Sequence, residues 1–371
     1  MVKKDKSLIK EFVRISKYFG QRFDLIQAAG GNSSIKDGHK MYIKSSGYSL
    51  AEVSEKNGYS LLDNRKLMDF LEKNEDVKIT PKIEKSSFNT LRKSIISGNA
   101  PSIETFTHSM LKKYTIHFHP VSVNVISTST KSRRIFKEIF HNEILDKTFF
   151  YIKYKTPGIA LASEILKTIG SHENKISKNE NIVLFLENHG LICSSNNADK
   201  LIKYIEDVMI KFEKYCNLDF ARYKNTSIIS QILWKHKYKE LVTYYSEDKL
   251  INSFLTSNPK INISKPLNPD QLLYCGESIL NIKKSLDLDI SKFIRKFKTY
   301  PRVIIVKNSA YFVSSNILKA REVEDVFKSH LYFHYNLLGA SSRKLSKENI
   351  KRLDSYNPQK NRLRFWFDYL K

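Results

Sequence analysis

The stretch Thr115-Ile116-His117-Phe118-His119-Pro120 sets β-branched and aromatic residues around two histidines two positions apart. On a strand, where side chains alternate between faces, that spacing points His117 and His119 the same way. Further along, Asn181–Leu186 is an apolar run of the kind a buried strand shows. It passes directly into Glu187-Asn188-His189-Gly190, and Leu191–Ser194 continues the strand pattern. Glycine at 190 lets the backbone bend tightly beside His189. Two histidines on one strand face, joined by a third from a separate turn, make a three-imidazole set for a divalent metal with a coordination position left open. Alone, His-x-His also reads as a packed pair and Asn-His-Gly as a capped turn. Only their combination points to metal.

Upstream of the His-x-His stretch, Leu8, Ile9, Phe12, Ile15, Phe19 and Leu25 recur at helical spacing, which predicts a helix over 1–28. It ends in Ala28-Ala29-Gly30-Gly31-Asn32-Ser33-Ser34. Short strands are expected at Ser34–Lys36 and Met41–Lys44 around Asp37-Gly38, then a turn at Ser45-Ser46-Gly47. Ser60–Glu72 reads as strand then helix, and 73–85 as a polar loop. Pro101-Ser102 opens an expected helix to about Lys113, with Glu104 in its first turns. Val121–Ser127 is β-rich. A helix near 131–145, a strand near 148–154, an irregular Tyr154-Lys155-Thr156-Pro157-Gly158 and helices over 159–170 and 198–212 follow. Beyond about residue 225 the chain turns rich in Lys, Ser and Asn. There a strand pair at Arg302–Lys307 and Ala310–Val313 precedes a helix over about 319–337. The expected division is therefore 1–225 and 226–371.

The 371 residues carry 63 Lys+Arg, 38 Asp+Glu, 10 His and 3 Cys. Hydrophobic and charged shares of 41% and 27% are those of a globular protein and exclude wholesale disorder. No run of about 18 apolar residues is present, so no transmembrane helix or membrane partner is expected. The opening MVKKDKSLIKEF is basic but lacks a signal peptide's apolar core, which predicts a cytoplasmic protein. Cys193, Cys216 and Cys275 are widely spaced and form no CxxC, against a disulfide framework or cysteine zinc site. A net charge of +25 suits nucleic acid, acidic membranes or phosphorylated small molecules, or reads simply as a compositional drift toward Lys, Ile and Asn with the lysines scattered over solvated faces. No dense basic tract or aromatic-interleaved basic strip supports nucleic acid, and none is expected as a partner.

Glu104, early in a helix, reads either as dipole compensation or as a functional carboxylate. Gly30-Gly31-Asn32-Ser33-Ser34 and Ser45-Ser46-Gly47 read either as anion-binding nests or as tight turns. Neither GxGxxG nor GxxxxGK[ST] occurs. His39, His141, His172, His236, His330 and His334 have no such company and read as surface or packing residues.

In chain order the pieces are AAGGNSSIK, MYIKSSG, PSIETFTH, IHFHP, YKTPG and LENHGLI. That series resembles the class II aldolase/adducin family, over roughly residues 8–215. GGNSSIK, IKSSGYSLAEV and PSIETFTH are further similar to the aldolase portion of bifunctional rhamnulose-phosphate aldolase/alcohol dehydrogenases, and PDQLLYCG and 301–331 to the later part of that portion. No nucleotide fingerprint of a dehydrogenase half is present, so hydride transfer is not expected. The resemblance implies an α/β fold: three layers with a mostly antiparallel central sheet between helices, plus a smaller C-terminal α/β region.

Carried over by residue, the resemblance implies that His117, His119 and His189 bind a divalent metal, usually Zn2+. It makes Glu104 the acid/base, and Gly31, Asn32, Ser46, Gly47 and Ser102 the holders of the substrate phosphate. Tyr154 is implied as a proton donor to a neighbouring subunit's site, hence a homo-oligomer, in this family typically a tetramer. Ala29 and Ile103 stand where fuculose-type phospho-aldolases carry hydroxyls, Ile159 replaces a usual threonine, and Glu104 lies closer to His117 than in most members; Lys44 is a candidate to compensate. The expected function is reversible retro-aldol cleavage of a phosphorylated ketose or related sugar acid through a metal-stabilised enediolate. A 4-epimerase or keto-acid-phosphate decarboxylase on the same site is the alternative. A non-catalytic adducin-like binding role is the third reading, although adducins lack the metal histidines.

Overall fold

The computed structural model describes residues 3–75, 77–170, 179–258, 263, 265–336 and 343–355; His172 lies outside them. The chain divides into two compact units, residues 1–220 and 221–371. In the first, the helices are α1 (Lys3–Gly20), α2 (Asn64–Lys73), α3 (Pro81–Ser94), α4 (Thr105–Ser109) and α5 (Val121–Ser127). They continue as α6 (Ser132–Ile139), α7 (His141–Leu145), α8 (Ile159–Gly170) and α9 (Ala198–Cys216). The strands are β1 (Asn32–Asp37), β2 (Lys40–Lys44), β3 (Tyr59–Asp63) and β4 (Ile95–Gly98), then β5 (Tyr114–Phe118), β6 (Phe149–Ile152), β7 (Asn181–Leu186) and β8 (Gly190–Ser195).

These strands form one sheet in the order β4-β3-β2-β1-β5-β8-β7-β6. Every neighbouring pair is antiparallel except β6 with β7. β7 is apolar along its length because both faces are covered. Ile182, Leu184 and Leu186 pack with Leu161 and Ile165 of α8, whereas Phe185 turns to the opposite face against Phe136 of α6 and Phe212 of α9. The same alternation on β5 stacks Phe118 on Phe19 of α1 and sends His117 to the other side.

Four local expectations are corrected. The first helix stops at Gly20, where a side chain would strike the backbone of Leu50 and Ala51 at 2.4–2.6 Å. Arg22 then anchors the turn by pairing with buried Asp24 and Glu206. Val121–Ser127 is helix, not strand: Pro120 presets the entry, and Ser122, Val123, Ile126 and Ser127 bury at helical spacing, overriding β-branched propensity. Part of 73–85 is helical, since Thr80 caps α3 and Pro81 begins it. The helix expected from Pro101 shrinks to α4, because Pro101 instead bridges to Ser45.

The second unit contains α10 (Ala221–Lys235), β9 (Val242–Tyr245), α11 (Lys249–Ser257), α12 (Pro269–Cys275), β10 (Leu280–Asn281) and α13 (Leu286–Phe297). It continues with β11 (Val303–Val306), β12 (Ser309–Ser314), α14 (Ile317–Tyr335) and α15 (Lys347–Ser355). Its sheet runs β10-β11-β12-β9. Val303, Ile305 and Phe312 face α11 and α14, while Ile304, Tyr311 and Val313 face α10 and α13. Among the described residues no helix is long and apolar enough to cross a membrane.

Candidate functional site

Pairing of β1 with β5 sets Asn32 opposite His117, and pairing of β5 with β8 brings the turn holding His189 alongside. Small residues permit this approach. A Cβ at Gly31, whose φ is +66°, would lie 2.6 Å from the His117 carbonyl, and one at Gly190 would lie 2.5 Å from the Phe118 carbonyl. Glycine is required at both positions by space.

The three imidazoles converge. His117 and His119 approach through their Nε2 atoms at 3.0 Å, and the three ring centroids lie 4.8–5.2 Å apart. His117 Nδ1 donates to the Leu191 carbonyl at 2.8 Å, which leaves its Nε2 unprotonated and aimed at the centre. Glu104 faces the same point, with Oε2 3.4 Å from His117 Nε2 and Oε1 3.3 Å from His189 Nε2. Burial is the main force holding all three histidines down at about 4, so each is neutral near pH 7.

That donor set fits a divalent metal. One ligand atom from each histidine lies within 4.8 Å of the others. A tetrahedral ion bound at about 2.0–2.1 Å wants nitrogens roughly 3.4 Å apart. Buried Glu104 Oε1 and His189 Nδ1 have no hydrogen-bond partner among the described residues. An unsatisfied carboxylate oxygen beside neutral imidazoles is an environment a cation relieves.

The polar loops gather beside this cluster. Asn32 Nδ2 donates to Glu104 Oε2 at 2.9 Å and to Ser102 Oγ at 3.2 Å. The Glu104 backbone N–H also reaches Ser102 Oγ, at 3.3 Å, so that hydroxyl accepts twice and its own proton is left to donate outward. Ser46 N–H donates to the Ala100 carbonyl at 2.8 Å, tying the Ser45-Ser46-Gly47 turn to the Pro101-Ser102 loop. Ser46 and Gly47 are exposed, and a Cβ at Gly47 would meet nothing within 4 Å. Buried Lys44 donates to the Ala29 and Tyr48 carbonyls at 3.0 and 2.6 Å, cross-linking the two glycine turns, and burial pushes its ammonium down to about 8.

Tyr154 is not brought into the cluster. Its side chain is 52% exposed, and its backbone N–H donates to Glu187 Oε2 at 3.1 Å. His39 and His141 are exposed, His236 contacts Ser291, and His330 pairs with His334. His108 is a residue that sequence reasoning misses. It is fully buried behind the site, with Nδ1 2.8 Å from Ser34 Oγ, and the Lys36 ammonium donates to its carbonyl. Its position four residues after Glu104, one helical turn away, is the available signal.

Residues 10–216 match the family described as Class II Aldolase and Adducin N-terminal domain. Among solved structures, the N-terminal class II aldolase domain of a conserved protein from Thermoplasma acidophilum is 20% identical, with 56% of this chain and 93% of that one covered and a TM-score of 0.46. YgbL from Klebsiella pneumoniae, described as a putative aldolase/epimerase/decarboxylase, is 16% identical over 56% and 88% of the two chains, with a TM-score of 0.39. An L-fuculose 1-phosphate aldolase is 17% identical over 58% and 87%, with a TM-score of 0.37. No curated protein matches the sequence.

Proposed function

The chain belongs to the class II aldolase and adducin family, and from that premise we propose that its histidine cluster is the active centre of a metal-dependent lyase. The substrate we propose is a phosphorylated ketose or related sugar acid, cleaved by a reversible retro-aldol step. The observation that carries the reading is the convergence of three neutral imidazoles and one carboxylate on a single point. His117, His119 and His189 would hold the ion, zinc being the first choice for such a set. Bound there, a divalent ion supplies Lewis acidity at substrate oxygens, where charge develops as the C–C bond breaks.

Glu104 has the place and the freedom to move a proton at the substrate carbon. Its Oε2 is fixed by Asn32, while Oε1, beside His189 Nε2, has no hydrogen-bond partner among the described residues. Gly31, Asn32, Ser46, Gly47 and Ser102 are proposed to hold the phosphate through the Ser46 and Ser102 hydroxyls and backbone N–H groups other than that of Ser46, which is given to Ala100, with Lys44 contributing charge. This compensates for Ala29 and Ile103, which offer no hydroxyl. Tyr154, exposed on its own protomer, suits donation of a proton to the leaving oxygen in a neighbouring subunit, which makes the working unit a homo-oligomer.

Incubation with ketose 1-phosphates, rhamnulose 1-phosphate among them, followed by product analysis tests the reading. Two carbonyl fragments identify the aldolase. A single epimer or released carbon dioxide would instead assign an epimerase or a decarboxylase. No turnover of any phosphorylated sugar by metal-loaded protein would favour an adducin-like binding role.

A further inference from the structure

The second unit holds a feature that the proposed chemistry leaves unused. An open cleft of about 1210 Å³ lies among the edge strand β10, helix α13 and the Lys307-Asn308 turn. Ile279, Phe293, Phe297 and Ile305 make an apolar wall. Lys283, Lys292, Lys296 and Lys307 line the same cleft. Among the described residues none of these four ammonium groups is ion-paired to a carboxylate. Lys296 sits over the Phe297 ring, 4.9 Å from its centroid.

The carboxylate lining the cleft, Asp289, is already engaged. Its Oδ2 accepts the backbone N–H groups of Lys283 and Lys284 at 2.7 and 2.8 Å, fixing the turn between β10 and α13. The cleft therefore keeps a strong positive excess. This follows the wider distribution of charge: residues 221–371 hold 28 Lys+Arg against 13 Asp+Glu.

A second pocket of about 170 Å³ adjoins the cleft, sharing Ser278, Phe293 and Phe297 with it. Tyr300, Arg302 and Glu277 line this inner chamber, and Arg302 also donates to the Leu273 carbonyl, so the positive excess lies in the outer cleft. The Tyr300 hydroxyl is buried with the Arg302 guanidinium against it, and its own proton has no acceptor among the described residues. A buried hydroxyl whose proton lacks an acceptor, beside a cationic cleft, is a donor awaiting one. Lysines act as flexible point charges that suit phosphate, and an aromatic wall suits a flat or apolar body.

We infer that this cleft binds a phosphorylated small molecule with an aromatic or apolar body. Its phosphates lie against the lysine rim and its body against Phe293 and Phe297. The site is independent of the histidine cluster, and the lyase reading can fail without touching it.

Isothermal titration of the full chain with adenosine diphosphate and with inorganic pyrophosphate, at physiological salt, tests this. A double reversal, Lys292→Glu with Lys307→Glu, is compared with Lys347→Glu and Lys351→Glu, which change the charge equally on α15. Saturable binding is expected, weakened roughly 100-fold by the cleft reversal, or about tenfold for each lysine–phosphate interaction removed. The α15 control should bind as the unaltered chain does. Tyr300→Phe should weaken binding by a smaller factor. Absence of saturable binding overturns the proposal, as does equal weakening in both reversals or none in the cleft reversal. Preference for single-stranded oligonucleotides, tightening with their length, also overturns it and assigns the lysines to a nucleic-acid surface.

Discussion

Asn32 and Glu104, 72 residues apart in sequence, are joined by a hydrogen bond of 2.9 Å from Nδ2 to Oε2. This bond lets a glycine-turn residue orient a carboxylate that lies against two imidazoles. Replacing Asn32 by Ala should leave the metal bound but release Glu104 from its set position. Turnover should fall by roughly 10- to 100-fold, the usual cost of losing an orienting partner. Steady-state kinetics beside metal analysis checks this; unchanged turnover would remove Asn32 from the site.

Glu104→Gln keeps the shape of the side chain and removes its basicity. Metal content should be retained, while exchange of the carbon-bound proton of the ketone cleavage product with deuterated water should drop by about 10²–10⁴-fold. Exchange at the original rate would place the base elsewhere.

Gly31→Ala meets two obstacles at once, a φ of +66° and a carbonyl 2.6 Å from the new Cβ. The strain is expected to cost about 1–3 kcal/mol and to displace His117, whose backbone it strikes. Thermal melts report the first effect and metal affinity the second. A variant matching the parent in both would show that the turn yields freely.

The pH dependence has a defined sign. His117, His119 and His189 are held at about 4 in the folded protein, mainly by burial, against about 6.5 for a free imidazole. Between those values the unfolded chain binds more protons, so stability present above about pH 6.5 is lost as pH falls toward 4. Each imidazole contributes a slope of up to about 1.4 kcal/mol per pH unit. Chelator-treated protein should melt progressively lower across that window, and less steeply after His117→Ala. A flat profile would contradict the burial argument.

Lys44, pushed down to about 8 by burial, should lose its charge as pH rises through that value. KM for a phosphorylated substrate is then expected to climb above pH 8 with kcat little changed. Lys44→Met should raise KM roughly tenfold at neutral pH and abolish the pH effect. A pH-dependent KM that survives the substitution would exclude Lys44.

Much of this arrangement is legible in the chain itself. The apolar run Asn181–Leu186 marks a buried strand and the His117, His119 spacing puts two imidazoles on one face, because both are local properties. Glu104, Asn32 and Ser102 are legible only as motif positions, since nothing local reveals that β1 and β5 will bring them within hydrogen-bond reach. Val121–Ser127 misleads for the same reason. Its β-branched residues favour a strand, but Pro120 and packing against the sheet decide for helix. His108 is marked in sequence only by its place four residues after Glu104, and the cleft beside α13 arises from tertiary packing that no short pattern encodes.

Elemental mass spectrometry of purified protein, with His117→Ala as the partner sample, tests the central claim most directly. About one divalent ion per chain is predicted, as three histidines and one open position require, and it should be lost in the variant while the fold is retained. No bound metal after reconstitution, or the same metal content in both samples, would contradict the account and return the three histidines to packing.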